Sequence, residues 1–214
     1  MKIAILVFDK LTALDAIGPY EVLSRIPGAE LTFVAKETGP IRSDTGMLGI
    51  SADATLAELP GPDILLIPGG EGNRPLLGDE EVLDWVRSAH ETSTWTTSVC
   101  TGSLVLGAAG VLEGKRATTH WAYRDRLPDF GAEAVAERFV IDGKVVTAAG
   151  VSAGIDMALA LVARLAGEDV AKAIQLGIEY DPAPPFDAGS PEKADERLVE
   201  LIRNLESEQQ PSLA

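Results

Sequence analysis

The sequence predicts a doubly wound α/β fold, a mostly parallel sheet with helices on both faces. Three observations carry this. Short apolar runs such as "KIAILVF" and "DILLIPGG" show no polar alternation, as strands buried on both faces require. Helical patterns separate these runs, so strand and helix alternate along the chain. Three strands run into turns containing glycine, "PGGEG", "SVCTG" and "AAGVSAG", and in such sheets the site lies beyond the carboxyl ends of the strands.

Taken in order, residues 2–8 form the first strand. "LDAIGPYEVLSRI" follows as a helix in which Pro19 suits the first turn and Tyr20, Leu23 and Ile26 share one side. "AELTFVAK" is a second strand, and the turn-rich "GPIRSDTGMLGISAD" reads as a hairpin off the main sheet. "DILLIPGG" is a third buried strand and "DEEVLDWVRSAHE" an amphipathic helix. "TWTTSV" is a fourth strand and "TGSLVLGAAGVL" its helix. In "RFVIDGKVVTAAG" the Asp142-Gly143 pair joins two strands as a hairpin. "SAGIDMALALVARLAG" is a helix with Ser152 as its cap. Another helix covers residues 168–179. The Pro-rich "EYDPAPPFDAGSP" is irregular, and a charged helix over residues 192–206 with a short tail completes a single domain of residues 1–214.

Composition narrows the functional classes. Of 214 residues 46% are hydrophobic but only 5% aromatic, so the core must be built from Ala, Val, Leu and Ile. A formal charge of −15 leaves no basic patch for nucleic acid and disfavours an anionic membrane surface. No run reaches the roughly 18 apolar residues of a membrane span, and "MKIAILVF" enters a strand without a leader pattern, so a cytoplasmic protein is expected. One cysteine cannot form an internal disulfide. The two histidines, His90 and His120, have no Cys or His at ligand spacing, so no metal site is expected. The glycine turns match neither a dinucleotide fingerprint nor a Walker motif.

The single cysteine, Cys100, sits where "TTSV" meets the helix. It reads either as a small buried hydrophobe or as a nucleophile. The pattern S-V-C-T-G, with small residues two before and two after it, favours the second. A strained strand-to-helix elbow of this kind lifts the side chain to the rim of the sheet. The helix N-terminus behind the sulfur predicts a thiolate populated at neutral pH. Proton transfer needs a second group. Asp15, at the entry to the first helix, lies on the same rim, and Glu21 is six residues further along that helix. Each also reads as an ordinary helix or surface acid. His120 in "TTHWAY" reads as a base for Cys100 or as a hydrogen-bonded structural residue. Asp156, one turn into its helix, reads as structural. Gly69 and Gly70 allow close backbone approach to a ligand, or form a plain tight turn.

At "PGGEG", "SVCTGSLVLGAAGVLEGKRATTHW" and "EYDPAPPFDAGSP" the chain resembles the ThiJ/PfpI superfamily, with its glutamine-amidotransferase-like fold, over nearly its whole length. The likeness is greatest to the branch that hydrates isonitriles. The resemblance implies a flavodoxin-like sheet, a homodimer, Cys100 as nucleophile and Asp15 as the carboxylate beside it. Thr101, Gly150, Gly69 and Gly70 would line the site. It implies hydration of a small apolar isonitrile, R–N≡C, to the N-substituted formamide through a cysteine thioimidate, with water as co-substrate and no cofactor. Thr101 stands where the protease-like branch has a His directly after the cysteine, so a Cys–His pair built on that neighbour is absent. Two other readings remain: a glyoxalase- or deglycase-like enzyme acting on α-oxo aldehydes, with Glu21 as its carboxylate, or a cysteine-based ligand or redox sensor. A DNA-binding form of the sensor is disfavoured by the lack of a basic helix-turn-helix segment.

Overall fold

A computed structural model describes residues 1–208; residues 209–214, the end of the expected tail, lie outside the described residues. β1 (Lys2–Leu6) leads to α1 (Ala13–Leu23), and β2 (Glu30–Ala35) returns beside it. β3 (Gly39–Arg42) and β4 (Gly49–Ala52) form the expected hairpin outside the main sheet. β5 (Ala54–Thr55), too short to announce itself in sequence, pairs with β2. Then come β6 (Ile64–Ile67), α2 (Glu80–Thr92), β7 (Trp95–Val99) and α3 (Gly102–Ala108). β8 (Arg116–Ala117) and β9 (Glu133–Ala134) make a small parallel pair around a 3₁₀ segment, Trp121–Phe130. β10 (Phe139–Asp142) and β11 (Val145–Ala148) turn through Gly143 at φ 61°, and α4 (Ala153–Ala166), α5 (Glu168–Gly177) and α6 (Glu196–Glu208) follow.

The main sheet has seven strands in the order β10-β11-β7-β6-β1-β2-β5, all parallel except β10. The chain leaves β1 to one side for β2 and returns on the other for β6, so the topological switch lies between β1 and β6. Register then sets the rim. Ser98 is level with Ile67 on one side and with Thr147 on the other. The turns after β6, β7 and β11 therefore begin at the same height.

Aliphatic residues form the core, as composition requires. β6 is buried along its whole length, as is β1 from Ile3 to Leu6, and among the described residues Phe8 and Trp85 are the only aromatics in the buried core. Each such Ile or Leu contributes roughly 1.5–3 kcal/mol by leaving water. Asp156 is structural, bonded by Arg138 and by the Tyr180 hydroxyl (3.0 Å). No helix among the described residues is long and apolar enough to cross a membrane.

Two local expectations fail for tertiary reasons. Pro19 is inside α1 rather than in its first turn, because the helix already starts at Ala13. The missing N–H leaves the Asp15 carbonyl without its helical donor. In return α1 packs closely on α4, where a Cβ on Gly154 would lie 3.0 Å from Pro19 Cγ. Ser152 precedes α4 but makes no side-chain cap; its hydroxyl instead accepts from Arg138 Nη2 at 3.1 Å.

At the opposite edge, Lys144 fastens the hairpin to α2. Its ammonium donates to the carbonyls of His90, Glu91 and Ser93, the groups that a helix C-terminus leaves without partners. Lys144→Met, which keeps the stem and removes the charge, should cost about 1 kcal/mol and lower the melting temperature by about 2–4 °C. An unchanged melt would mean that these contacts add nothing to stability.

Candidate active site

Cys100 occupies the elbow that the spacing predicts. Its φ is 55°, a left-handed conformation that a non-glycine residue adopts only under constraint. Several bonds supply the constraint. The Cys100 N–H donates to the Ala148 and Ala149 carbonyls at 3.1 Å, and its own carbonyl accepts from Thr119 Oγ1 at 2.8 Å and Ser103 Oγ at 3.2 Å. The small flanking residues are needed for space. A Cβ on Gly102 would fall onto the Ile67 carbonyl oxygen, and Ser98 is fully buried.

Asp15 reaches the same point from α1 and is fully buried. Its Oδ2 accepts the Gly69 N–H at 2.9 Å, while Oδ1 is buried without a hydrogen-bond partner among the described residues. The Cys100 thiol lies beside the carboxyl and lowers its pKa. Gly69 fits because it has no side chain: a Cβ there would lie 2.6 Å from Thr101 N and 2.9 Å from Cys100 Cβ. Burial raises the Asp15 carboxyl to about 7; the Gly69 and Cys100 bonds oppose the rise, and Asp44 adds to it.

The N–H groups of Thr101 and Val151 and the Thr101 hydroxyl lower the pKa of the sulfur. That hydroxyl accepts the Gly70 N–H at 3.1 Å, which leaves its proton for the sulfur. Burial first, and then the Asp15 charge, nevertheless push the thiol well above its ordinary range. The thiolate expected at neutral pH is therefore corrected: α3 has only seven residues, and its N-terminus does not outweigh burial beside a carboxylate.

A pocket of about 390 Å³ opens over Cys100, with Thr101, Leu104, His120, Tyr123 and Phe130 in its walls. Glu206, from α6, lines it as well and accepts from the Tyr123 hydroxyl at 2.7 Å. Among the described residues no group of three or more His, Cys, Asp or Glu side chains is placed to hold a metal ion.

Residues 1–164 match the sequence model of the DJ-1/PfpI family. The chain belongs to the DJ-1/PfpI family. It is 48% identical over 203 residues to an isonitrile hydratase of Pseudomonas putida, covering 95% of this chain and 89% of that protein. A DJ-1/PfpI relative named Deglycase PfpI, from Pyrococcus furiosus, is 28% identical over 150 residues, covering 69% of this chain and 89% of that one. The crystal structure of a ThiJ/PfpI family protein from Pseudomonas syringae superposes with a TM-score of 0.94 at 40% identity, covering 97% of this chain and 86% of that one. The seven-stranded, mostly parallel sheet is that of the DJ-1/PfpI fold.

The residues singled out in this DJ-1/PfpI sequence fall into two groups. Cys100, Asp15, Gly69, Gly70 and Thr101 converge at the elbow. His120 lines the pocket with its ring against Gly150, where a Cβ would lie 2.5 Å from His120 Cδ2, so Gly150 makes room for the imidazole. Burial lowers the His120 pKa, leaving a neutral ring at pH 7, and Nδ1 accepts from the Ala122 N–H at 3.4 Å. Glu21 belongs elsewhere. It pairs with Arg25 at 2.7 Å and lines a second pocket with Leu14, Ile17 and Ile155, away from Cys100. Sequence reasoning did not single out Val151 or Asn73. Val151 is held at φ 39° to aim its N–H at the sulfur, and Asn73 Nδ2 donates to the Thr101 carbonyl at 2.7 Å. The third glycine turn pointed to the segment of Val151; nothing marked Asn73.

Asp15 also links pH to stability. Its carboxyl titrates at about 7 when folded against 3.8 for the exposed group, so the folded chain binds the proton more tightly. The stability this provides is complete below pH 3.8 and is lost as pH rises through 7. Asp15→Asn removes the titration. Its melting temperature relative to wild type should rise by several degrees between pH 5 and pH 8, measured by calorimetry. A difference that does not change with pH would show that the carboxyl is not held this way.

Proposed function

We propose that this chain is a cofactor-independent isonitrile hydratase. The observation that carries the reading is the buried Asp15 carboxyl set beside the Cys100 thiol, in a chain so similar to an isonitrile hydratase over most of its length. The terminal carbon of R–N≡C must gain a nucleophile and a proton, and this pair holds both.

Asp15 takes the thiol proton as sulfur attacks the terminal carbon, and then delivers it to that carbon. The product is the thioimidate R–N=CH–S–Cys100. The Thr101 and Val151 N–H groups and the Thr101 hydroxyl stabilise negative charge on sulfur while the proton is in transit. The regenerated Asp15 carboxylate accepts a proton from water as the oxygen adds to the same carbon, and passes that proton to nitrogen, which leaves Asp15 ionised again. The adduct R–NH–CH(OH)–S–Cys100 collapses to R–NH–CHO, the C–S bond breaks, and the hydroxyl proton returns to sulfur through Asp15. One carboxyl serves every proton step, and a pKa near 7 suits a group that both accepts and donates. Neutral His120 shapes the pocket. Glu21, turned to the other pocket, gives no support to a glyoxalase-like role. We read the working form as a cytoplasmic homodimer; the apolar stripe of α6, Leu198, Leu201, Ile202 and Leu205, faces water on a single chain and supports an association.

Cys100→Ser should abolish hydration of an alkyl isonitrile, and Asp15→Asn should lower kcat by about 10²–10⁴-fold. Glu21→Gln should stay within about threefold of wild type. The active pair carries one proton. The profile of kcat/KM against pH should therefore rise with a midpoint near 7, as Asp15 ionises, and fall only above the ordinary thiol range. A dead Glu21→Gln beside a normal Asp15→Asn, with methylglyoxal turned over in place of the isonitrile, would overturn the assignment.

A further inference from the structure

The pocket over Cys100 carries two cationic side chains that the hydration mechanism does not use. Arg74 and Arg126 both line it. Arg74 is half-buried, and among the described residues its guanidinium makes no ion pair and no side-chain hydrogen bond. Arg126 binds Asp129 through Nε alone, at 3.0 Å. A half-buried guanidinium without a partner is an unused fork of donors, suited to a planar anion.

The frame around Arg74 ties it to the nucleophile. Asn73, its neighbour, donates to the Thr101 carbonyl, and Thr101 in turn directs its N–H and hydroxyl at the sulfur. The Arg74 N–H bonds the Glu71 carbonyl at 3.4 Å, and Pro75 fixes the backbone beyond it. The position of Arg74 relative to Cys100 is therefore set by two short, rigid links.

Three acids share this pocket, and each already has a donor. Asp44 accepts from the Thr12 hydroxyl at 3.0 Å, Glu71 pairs with Lys10 at 3.3 Å, and Glu206 accepts from the Tyr123 hydroxyl. Arg74 is the one charged side chain lining the pocket with no hydrogen-bond or ion-pair partner among the described residues. The acids also limit the ligand: a doubly charged phosphate would meet their repulsion twice over, while a carboxylate carries one charge in the planar shape that the fork matches.

We propose that Arg74, assisted by Arg126, makes the pocket selective for isonitriles that carry a carboxylate, placing the isocyano carbon at Cys100. This rests on the hydratase reading and adds a substrate class to it. The test compares isocyanoacetate with its neutral methyl ester. In wild type kcat/KM should favour the acid by about tenfold or more. In Arg74→Gln that preference should disappear, through KM rather than kcat, and Arg74→Lys should restore part of it. No preference in wild type, or a preference kept in Arg74→Gln, would overturn the proposal. If neither compound is hydrated, the hydratase reading fails on its own, and binding to Cys100→Ala by calorimetry still decides the subsite. About tenfold tighter binding of the acid, lost when Arg74→Gln is added, upholds it; equal binding of acid and ester overturns it.

Discussion

Asp15 is a buried carboxyl that, among the described residues, accepts one backbone N–H, that of Gly69, and lies beside the Cys100 thiol. Ionising it there is unfavourable because the charge loses water and gains a single strong donor. Ionising Cys100 is unfavourable for the same reason, made worse by a charged neighbour. Asp15 loses its proton first, near 7, and the thiol only far above that, so between the two the pair is best described as one unit that holds a single proton. Such a unit is poised for a substrate whose carbon accepts sulfur and hydrogen in turn.

The rest of the fold serves to bring these two atoms together. Asp15 arrives on α1 after the central strand, and Cys100 arrives at the end of β7, two strands away. β6 lies between them, and its terminal turn supplies Gly69, the residue that both bonds Asp15 and leaves space for Cys100 and Thr101. β11 holds the elbow from the far side through the two carbonyls bonded to the Cys100 N–H, and then presents Val151. The cost of a left-handed cysteine is met by this surrounding set of bonds.

Most of the architecture was legible because strands buried on both faces leave a run of Ile, Leu and Val, and a glycine turn marks where each ends. Cys100, Asp15 and Gly69 were legible for the same reason: each follows a strand on the same rim. Pro19 was misread because its place is decided by packing against α4, which local propensity does not contain. The thiolate was misread because helix N-termini and donors are local, whereas burial and a buried carboxylate neighbour belong to the assembled fold. For Glu21 the information was present in the sequence. Six residues along a helix turn a side chain by about 240° from Asp15, away from the sulfur. Val151 and Asn73 act through a backbone N–H and a supporting amide, and neither role leaves a mark on residue type.

The measurement closest to the central claim is titration of the Cys100 thiolate by its ultraviolet absorbance, using Cys100→Ala as the blank and Asp15→Asn as the comparison. The shared-proton pair predicts no thiolate signal in wild type at pH 7–8, and a midpoint above the ordinary thiol value of about 8.5. It also predicts a lower midpoint in Asp15→Asn, where the neighbouring charge is gone. A wild-type thiolate already formed at pH 7, unaffected by Asp15→Asn, would contradict it.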